Sequence, residues 1–184
     1  MSDLSFSLNA GDGMMLTGPN GSGKTTLLRA IAGFGEISSG ELTLEPLPDG
    51  DEISQSCLYV GHHNAIKPQL SVQENIEFWA DFAGGDVDKA LASFSMEPIK
   101  DVPVSMLSAG QRRRVGLSRL ALEKRSIWLL DEPSTSLDKA STKTLSNMMQ
   151  AHLDNGGILI AASHTPFDIA LSETLELGES VTNE

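Results

Sequence analysis

The sequence contains a single cysteine, Cys57, in 184 residues. One thiol excludes an internal disulfide framework and a cysteine-based zinc site, and it suits a reducing compartment. Basic residues are scarce too: 13 Lys and Arg stand against 25 Asp and Glu, a formal charge of −12. Nucleic-acid binders usually present a basic face, so no nucleic-acid partner is expected. No apolar run approaches the roughly 20 residues that a membrane-spanning helix needs. The stretch from Met1 to Ala10 has neither a basic segment nor a long apolar one, and does not read as a signal peptide. Internal repeats and low-complexity tracts are missing as well. What is present, 40% hydrophobic and 21% charged residues, is ordinary for a folded chain and excludes wholesale disorder. The expectation is one soluble, acidic, cytoplasmic domain, long enough to bury a sizeable core.

The patterning alternates between strand and helix signals. Met14 to Thr17 is a short apolar run, followed by the turn-rich stretch Gly18 to Gly23. From Lys24 to Ala32, Leu27, Leu28 and Ile31 recur at helical spacing, with Gly33 as a stop. Glu41 to Glu45 reads as a short strand, and Pro46, Pro48, Asp49 and Gly50 as a loop. Cys57 to Val60 reads as a buried strand. A helical region from about Ser71 to Leu122 carries two capping boxes, Ser71 with Glu74 and Ser108 with Gln111. Ile127 to Leu130 and Ile158 to Ala162 are unbroken apolar runs, as expected of a parallel sheet covered on both faces. The result is an α/β core interrupted by a small helical subdomain.

Gly18, Pro19, Asn20, Gly21, Ser22, Gly23, Lys24 and Thr25 match the phosphate-binding pattern G-x-x-x-x-G-K-[ST], and Thr26 follows. Glycines let backbone N–H groups curl around phosphate oxygens, and the next helix turns its positive end toward them. Lys24 can neutralise β- and γ-phosphates, and the Thr25 hydroxyl can ligate Mg²⁺. The strand ending at Leu130 delivers Asp131 and Glu132. In an open α/β sheet that end lies beside the phosphate loop, so Asp131 can hold Mg²⁺ through water and Glu132 can polarise an attacking water. The next strand delivers Ser163 and His164 to the same edge, where His164 can hydrogen-bond a γ-phosphate. Ser108 reads as a helix N-cap and Gly110 permits close backbone approach, making that helix end another potential anion site. Arg112, Arg113 and Arg114 follow; a solvated helix face is the expectation. Phe78, Trp79 and Phe82 are expected in the core of the helical subdomain, the alternative being a docking edge for a partner helix.

The segment Leu107-Ser-Ala-Gly-Gln111 resembles the signature motif of ABC-type ATPases, with Ala109 where glycine is commoner. The phosphate loop, the Asp131-Glu132 strand end, a D-loop-like Ser136-Leu-Asp138 and a switch histidine at His164 stand in that family's order. The resemblance covers essentially the whole chain. It implies a P-loop NTPase (RecA-like) core with a mainly parallel sheet and a small inserted helical subdomain: one domain over 1–184, with its core at about 1–65 and 119–184 and its subdomain at about 66–118. It also implies ATP and Mg²⁺ as cofactors, Mg²⁺ on Thr25 and Asp131, Glu132 and His164 as catalytic groups, and hydrolysis to ADP and phosphate. In the implied head-to-tail homodimer, Ser108, Gly110 and Gln111 of one chain meet the ATP held by Lys24 of the other.

Gly61 to Lys67, Leu70 to Ile76, Leu107 to Val115 and Trp128 to Pro133 resemble, more narrowly, the ATP-binding subunits of cytochrome c biogenesis transporters, the haem exporters. That likeness implies a peripheral subunit on the cytoplasmic face of the bacterial inner membrane. It would attach through integral permease subunits of the CcmB and CcmC kinds and couple hydrolysis to haem export or handling. Two positions depart from the ABC pattern. His63 stands where a glutamine usually touches Mg²⁺ and the membrane partner, and a protonated imidazole would repel a cation. The aromatic residue that stacks on adenine would fall before Met1, so either the natural start lies upstream or other contacts hold the base, with weak base selectivity. The alternatives are an exporter of different cargo, a non-transport ABC ATPase and a P-loop kinase.

Overall fold

The computed structural model describes residues 4–47, 52–122 and 124–178. Pro48, Asp49 and Gly50 of the expected loop, and Met1, lie outside the described residues. Five strands form one wholly parallel sheet: β1 (Gly13–Thr17), β2 (Cys57–Val60), β3 (Ile127–Asp131), β4 (Ile158–Ala162) and β5 (Glu173–Glu176), in the order β2-β3-β4-β1-β5. Leu129 pairs with both Tyr59 and Ile160, and Met14 with both Ile160 and Glu173. The sheet belongs to a compact unit made of 1–61, 125–132 and 149–184. Every residue of β3 is buried, as its unbroken apolar run requires. Helix α1 (Lys24–Ile31) adds Leu28 and Ile31 to a core with Met14, Leu16, Leu129 and Ile160. Burying each such side chain contributes about 2 kcal/mol. The helix closes where the sequence places its stop: Gly33 is left-handed at φ 79°, and the Phe34 N–H bonds back to the Arg29 carbonyl at 2.8 Å.

The second compact unit comprises 62–124 and 133–148. It takes in 62–65, 119–124 and 133–148, which the sequence boundaries place with the core. It holds α3 (Val72–Ala83), α4 (Val87–Ser93) and α5 (Ala109–Ser118), and its interior contains Val72, Ile76, Leu91, Phe94, Met96, Val104, Val115 and Leu117. Both predicted capping boxes form, on α3 and α5. The buried Asn75 amide accepts from the Lys67 N–H at 2.7 Å and donates to the Lys67 and Ser71 carbonyls, fixing the loop ahead of α3.

Two expectations need correction here, and three elements went unforeseen. Glu41 to Glu45 forms no strand. Its residues alternate between exposed and half-buried as an extended chain does, with Leu42 and Leu44 on the core, but no neighbour supplies a ladder among the described residues. Phe78, Trp79 and Phe82 are not a core cluster. Phe82 is 79% exposed, the Lys67 ammonium sits 3.7 Å from the Phe78 ring centre, and the Arg119 guanidinium lies 5.0 Å from that of Trp79. The sequence reading also lacks α2 (Ile53–Ser56), β5 and α6 (Lys139–Asp154). The last contributes 139–148 to the helical unit and the rest to the sheet unit.

In the sheet unit the His152 ring stacks on Trp128, 4.1 Å between centres and 7° from parallel, and its Nε2 lies 3.1 Å from the Ile158 carbonyl oxygen. Burial lowers its pKa from the ordinary 6.5, although the carbonyls of Ile158 and Ser126 oppose the shift. The fold therefore favours the neutral ring, while the unfolded chain takes up a proton near 6.5. Stability from this site is complete above that pH and is lost as the pH falls toward the folded value. Thermal melts at about pH 7.5 and about pH 5.5 should show a fall in Tm on acidification, and His152→Gln should reduce that fall.

Candidate active site

Three strand ends open into one cleft of the sheet unit. The first is the loop after β1. Gly18 has φ 130°, and a Cβ there would overlap the Leu177 carbonyl oxygen, so the loop's first position admits only glycine. Gly23 caps α1 at φ 100°. Lys24 is buried, and its Nζ donates to the carbonyls of Gly18 at 2.7 Å and Pro19 at 2.9 Å, pulling the loop into a closed turn. The Ser22 hydroxyl is 2% exposed and has no hydrogen-bond partner among the described residues. A buried polar atom left in this state marks a place for a ligand oxygen.

The second strand end is that of β3. Asp131 is 4% exposed, and its Oδ2 accepts from the Thr25 hydroxyl at 2.8 Å and from the Tyr59 phenol at 3.4 Å. Glu132 follows in the left-handed region at φ 47°, held there by its N–H, which donates to the Ala162 carbonyl at 2.8 Å. A non-glycine residue in that conformation stores roughly 1–2 kcal/mol. The third strand end, that of β4, places His164 Nε2 3.0 Å from Asn20 Oδ1 and 3.6 Å from Glu132 Oε1. Lys24, Thr25, Thr26, Asp131, Glu132 and His164 line a cleft of about 220 Å³, with Asn20, Gly21 and Gly23 along its wall. The arrangement sets a buried ammonium, a hydroxyl and two carboxylates around one space.

The donor set fits Mg²⁺. That ion takes oxygen ligands, usually from one or two carboxylates together with substrate phosphates, and the Thr25 hydroxyl and Asp131 carboxylate are already paired. No cluster of three or more His, Cys, Asp or Glu able to hold a metal occurs among the described residues. A site completed by phosphate oxygens needs none.

The remaining candidates lie in the helical unit. Ser108 is exposed at the start of α5; its Oγ accepts from the Gln111 N–H at 3.2 Å, and the Gln111 Oε1 accepts from the Ser108 N–H at 2.8 Å. Gly110 meets the Ser136 carbonyl so closely that a Cβ would stand 2.7 Å from it. Ser136 itself is left-handed at φ 66°, and Asp138 Oδ1 accepts from the Ser141 N–H at 2.7 Å to cap α6. His63 is exposed, its ring edge-on to that of His62. Arg113 is no solvated side chain: 3% exposed, it donates to the Pro133 carbonyl and to Asn64 Oδ1, each at 3.0 Å.

Sequence reading missed Tyr59, the chain's one tyrosine. The available signal was a phenol in an otherwise apolar strand, which must find a polar partner.

Comparison with known proteins gives the family and the fold. The family described as ABC transporter matches residues 1–135. The cytochrome c biogenesis ATP-binding export protein CcmA of Paracoccus denitrificans is 44% identical over 174 residues, 94% of this chain and 79% of that protein. Among solved structures, an ABC transporter ATP-binding protein from Pyrococcus furiosus superposes with a TM-score of 0.79 at 22% identity, covering 95% of this chain and 88% of that one. A dimeric ATP-binding cassette in a post-hydrolysis state with ADP and phosphate superposes at 0.72 and 23% identity, covering 87% and 78%. With that identity extending over nearly the whole chain, the protein belongs to the ABC transporter ATP-binding family, in its branch of cytochrome c biogenesis ATP-binding export proteins.

Proposed function

We propose that this chain is the ATP-hydrolysing subunit of an ABC transporter that energises haem export or handling during c-type cytochrome assembly. The observation that carries the reading is the convergence of three strand ends on one cleft, with Lys24, Thr25, Asp131, Glu132 and His164 on its lining. Gly18, Pro19, Asn20, Gly21, Ser22 and Gly23 wrap the phosphates with backbone N–H groups, and Thr26 adds a hydroxyl at the helix start. Lys24 leaves its loop carbonyls to meet the β- and γ-phosphates. Thr25 and Asp131 hold Mg²⁺, which when bound neutralises charge on the phosphate oxygens. Glu132 accepts the proton of the attacking water. His164, which rests on Asn20 Oδ1, turns its N–H to the γ-phosphate when ATP binds and so distinguishes ATP from ADP.

The same reading makes the working form a homodimer, in which exposed Ser108, with Gly110 and Gln111, meets the γ-phosphate of the opposite subunit's ATP. The exposed end of α5 and the dimeric state of the related cassette support it. No helix among the described residues is long and apolar enough to cross a membrane. On the likeness to an ATP-binding export protein, attachment to the cytoplasmic face of the inner membrane is assigned to integral permease subunits of the CcmB and CcmC kinds, with exposed Phe82 as a contact for them.

A deletion strain complemented with the native chain or with Glu132→Gln tests the pathway by a haem stain of membrane proteins. Covalently haem-bearing cytochromes should disappear on deletion and return only with the native chain. Unchanged cytochromes, in a strain with no second copy, would remove the haem pathway and leave an ABC ATPase with other cargo.

A further inference from the structure

We propose that Tyr59 is a positioning residue for Asp131, and that Gly61 makes its seat. The inference rests on the reading of Asp131 as a metal-holding carboxylate. Tyr59 lies on β2, next to β3, and its hydroxyl donates to the same Asp131 oxygen, Oδ2, that takes the Thr25 hydroxyl. Two donors converging from different elements, the hydroxyl of Thr25 on α1 and the phenol of Tyr59 on β2, hold a 4%-exposed carboxylate more firmly than either does alone.

The seat of the phenol is built for it. The ring of Phe34 meets that of Tyr59 edge-on, 5.8 Å between centres and 72° apart. On the other side is Gly61. Its φ lies outside the positive range, so the backbone conformation does not call for glycine. Space does: a Cβ there would stand 2.8 Å from the Tyr59 hydroxyl oxygen and 2.9 Å from a ring carbon. Any side chain at 61 pushes the phenol off its line to Asp131.

The two donors differ in what a cation does to them. On the reading above, the Thr25 hydroxyl would turn to the metal. The phenol, carried on the strand next to β3, would keep Asp131 in place meanwhile. Tyr59 therefore acts on metal affinity through the carboxylate oxygen that it meets, whereas phosphate binding rests on Lys24 and the loop. Loss of an outer donor to a ligand carboxylate typically weakens metal binding 10–100-fold, and the 3.4 Å contact sets the expectation at about tenfold.

Mn²⁺ binding to the ADP complex of the full chain, followed by electron paramagnetic resonance, tests this. Tyr59→Phe removes one oxygen and keeps the ring. It should raise the Mn²⁺ Kd about tenfold, with the metal-free ADP Kd and the Tm unchanged. Gly61→Ala should move Mn²⁺ affinity in the same direction, and Asp131→Asn should weaken it further. If Tyr59→Phe binds Mn²⁺ as tightly as the parent while Asp131→Asn binds it weakly, the proposal fails and the metal reading of Asp131 survives. Parental affinity in Asp131→Asn would overturn that reading, and this proposal with it.

Discussion

Glu132→Gln should lower kcat for ATP hydrolysis by roughly 100-fold or more while leaving ATP affinity within about threefold. The substitution keeps shape and length, so the left-handed turn and the N–H bond to Ala162 persist. What disappears is the group able to take a proton from water. His164, 3.6 Å away, cannot substitute, because the nitrogen facing Glu132, Nε2, carries the N–H given to the γ-phosphate and has no lone pair to take a proton. With hydrolysis blocked, ATP should also hold the chain in its dimeric form, readable by size-exclusion chromatography with and without ATP. A kcat close to that of the parent would show that the proton leaves by another route and that Glu132 serves only the turn.

Lys24→Ala should weaken ATP binding about 100-fold, equivalent to about 2.7 kcal/mol. The alanine offers no charge to the phosphates, and that loss outweighs the saving from no longer having to break the ammonium's bonds to the Gly18 and Pro19 carbonyls, now 2.7 and 2.9 Å. Lys24→Arg should not rescue, because a planar guanidinium cannot occupy a slot shaped around a compact ammonium. Equilibrium binding of a fluorescent ATP analogue distinguishes the cases. Parental affinity in Lys24→Ala would place the phosphates elsewhere.

The features legible in the sequence are those fixed by nearest neighbours. The capping boxes at Ser71 and Ser108 are set three residues apart, and the stop at Gly33 by one φ value, so each is visible in a short window. The buried strands β3 and β4 show as apolar runs because both faces are covered, whatever covers them. The phosphate loop, Asp131, Glu132 and His164 could be placed together because strand ends in a parallel sheet share an edge. Features made by distant partners stayed hidden. Glu173–Glu176 becomes a strand only because β1 offers an open side, and three of its four residues are exposed, so no apolar pattern announces it. Glu41–Glu45 has a strand's alternation without a partner and stays irregular. The omission of α6 is different: Leu145, Met149 and Leu153 recur every four residues and are all buried, a helical signal that was there to be used. Tyr59 and Asp131 are 72 positions apart, and only the register of β2 on β3 brings them together.

The backbone at Glu132 has an evolutionary corollary. Glycine would relieve its left-handed strain, and in the unfolded chain glycine's own entropy opposes part of that gain. The fold by itself therefore exerts no pull toward glutamate at this site. Heat tolerance and turnover impose different demands on the same residue, and a lineage selected for persistence alone would be free to drift at 132 into a well-folded, nucleotide-binding, inert protein.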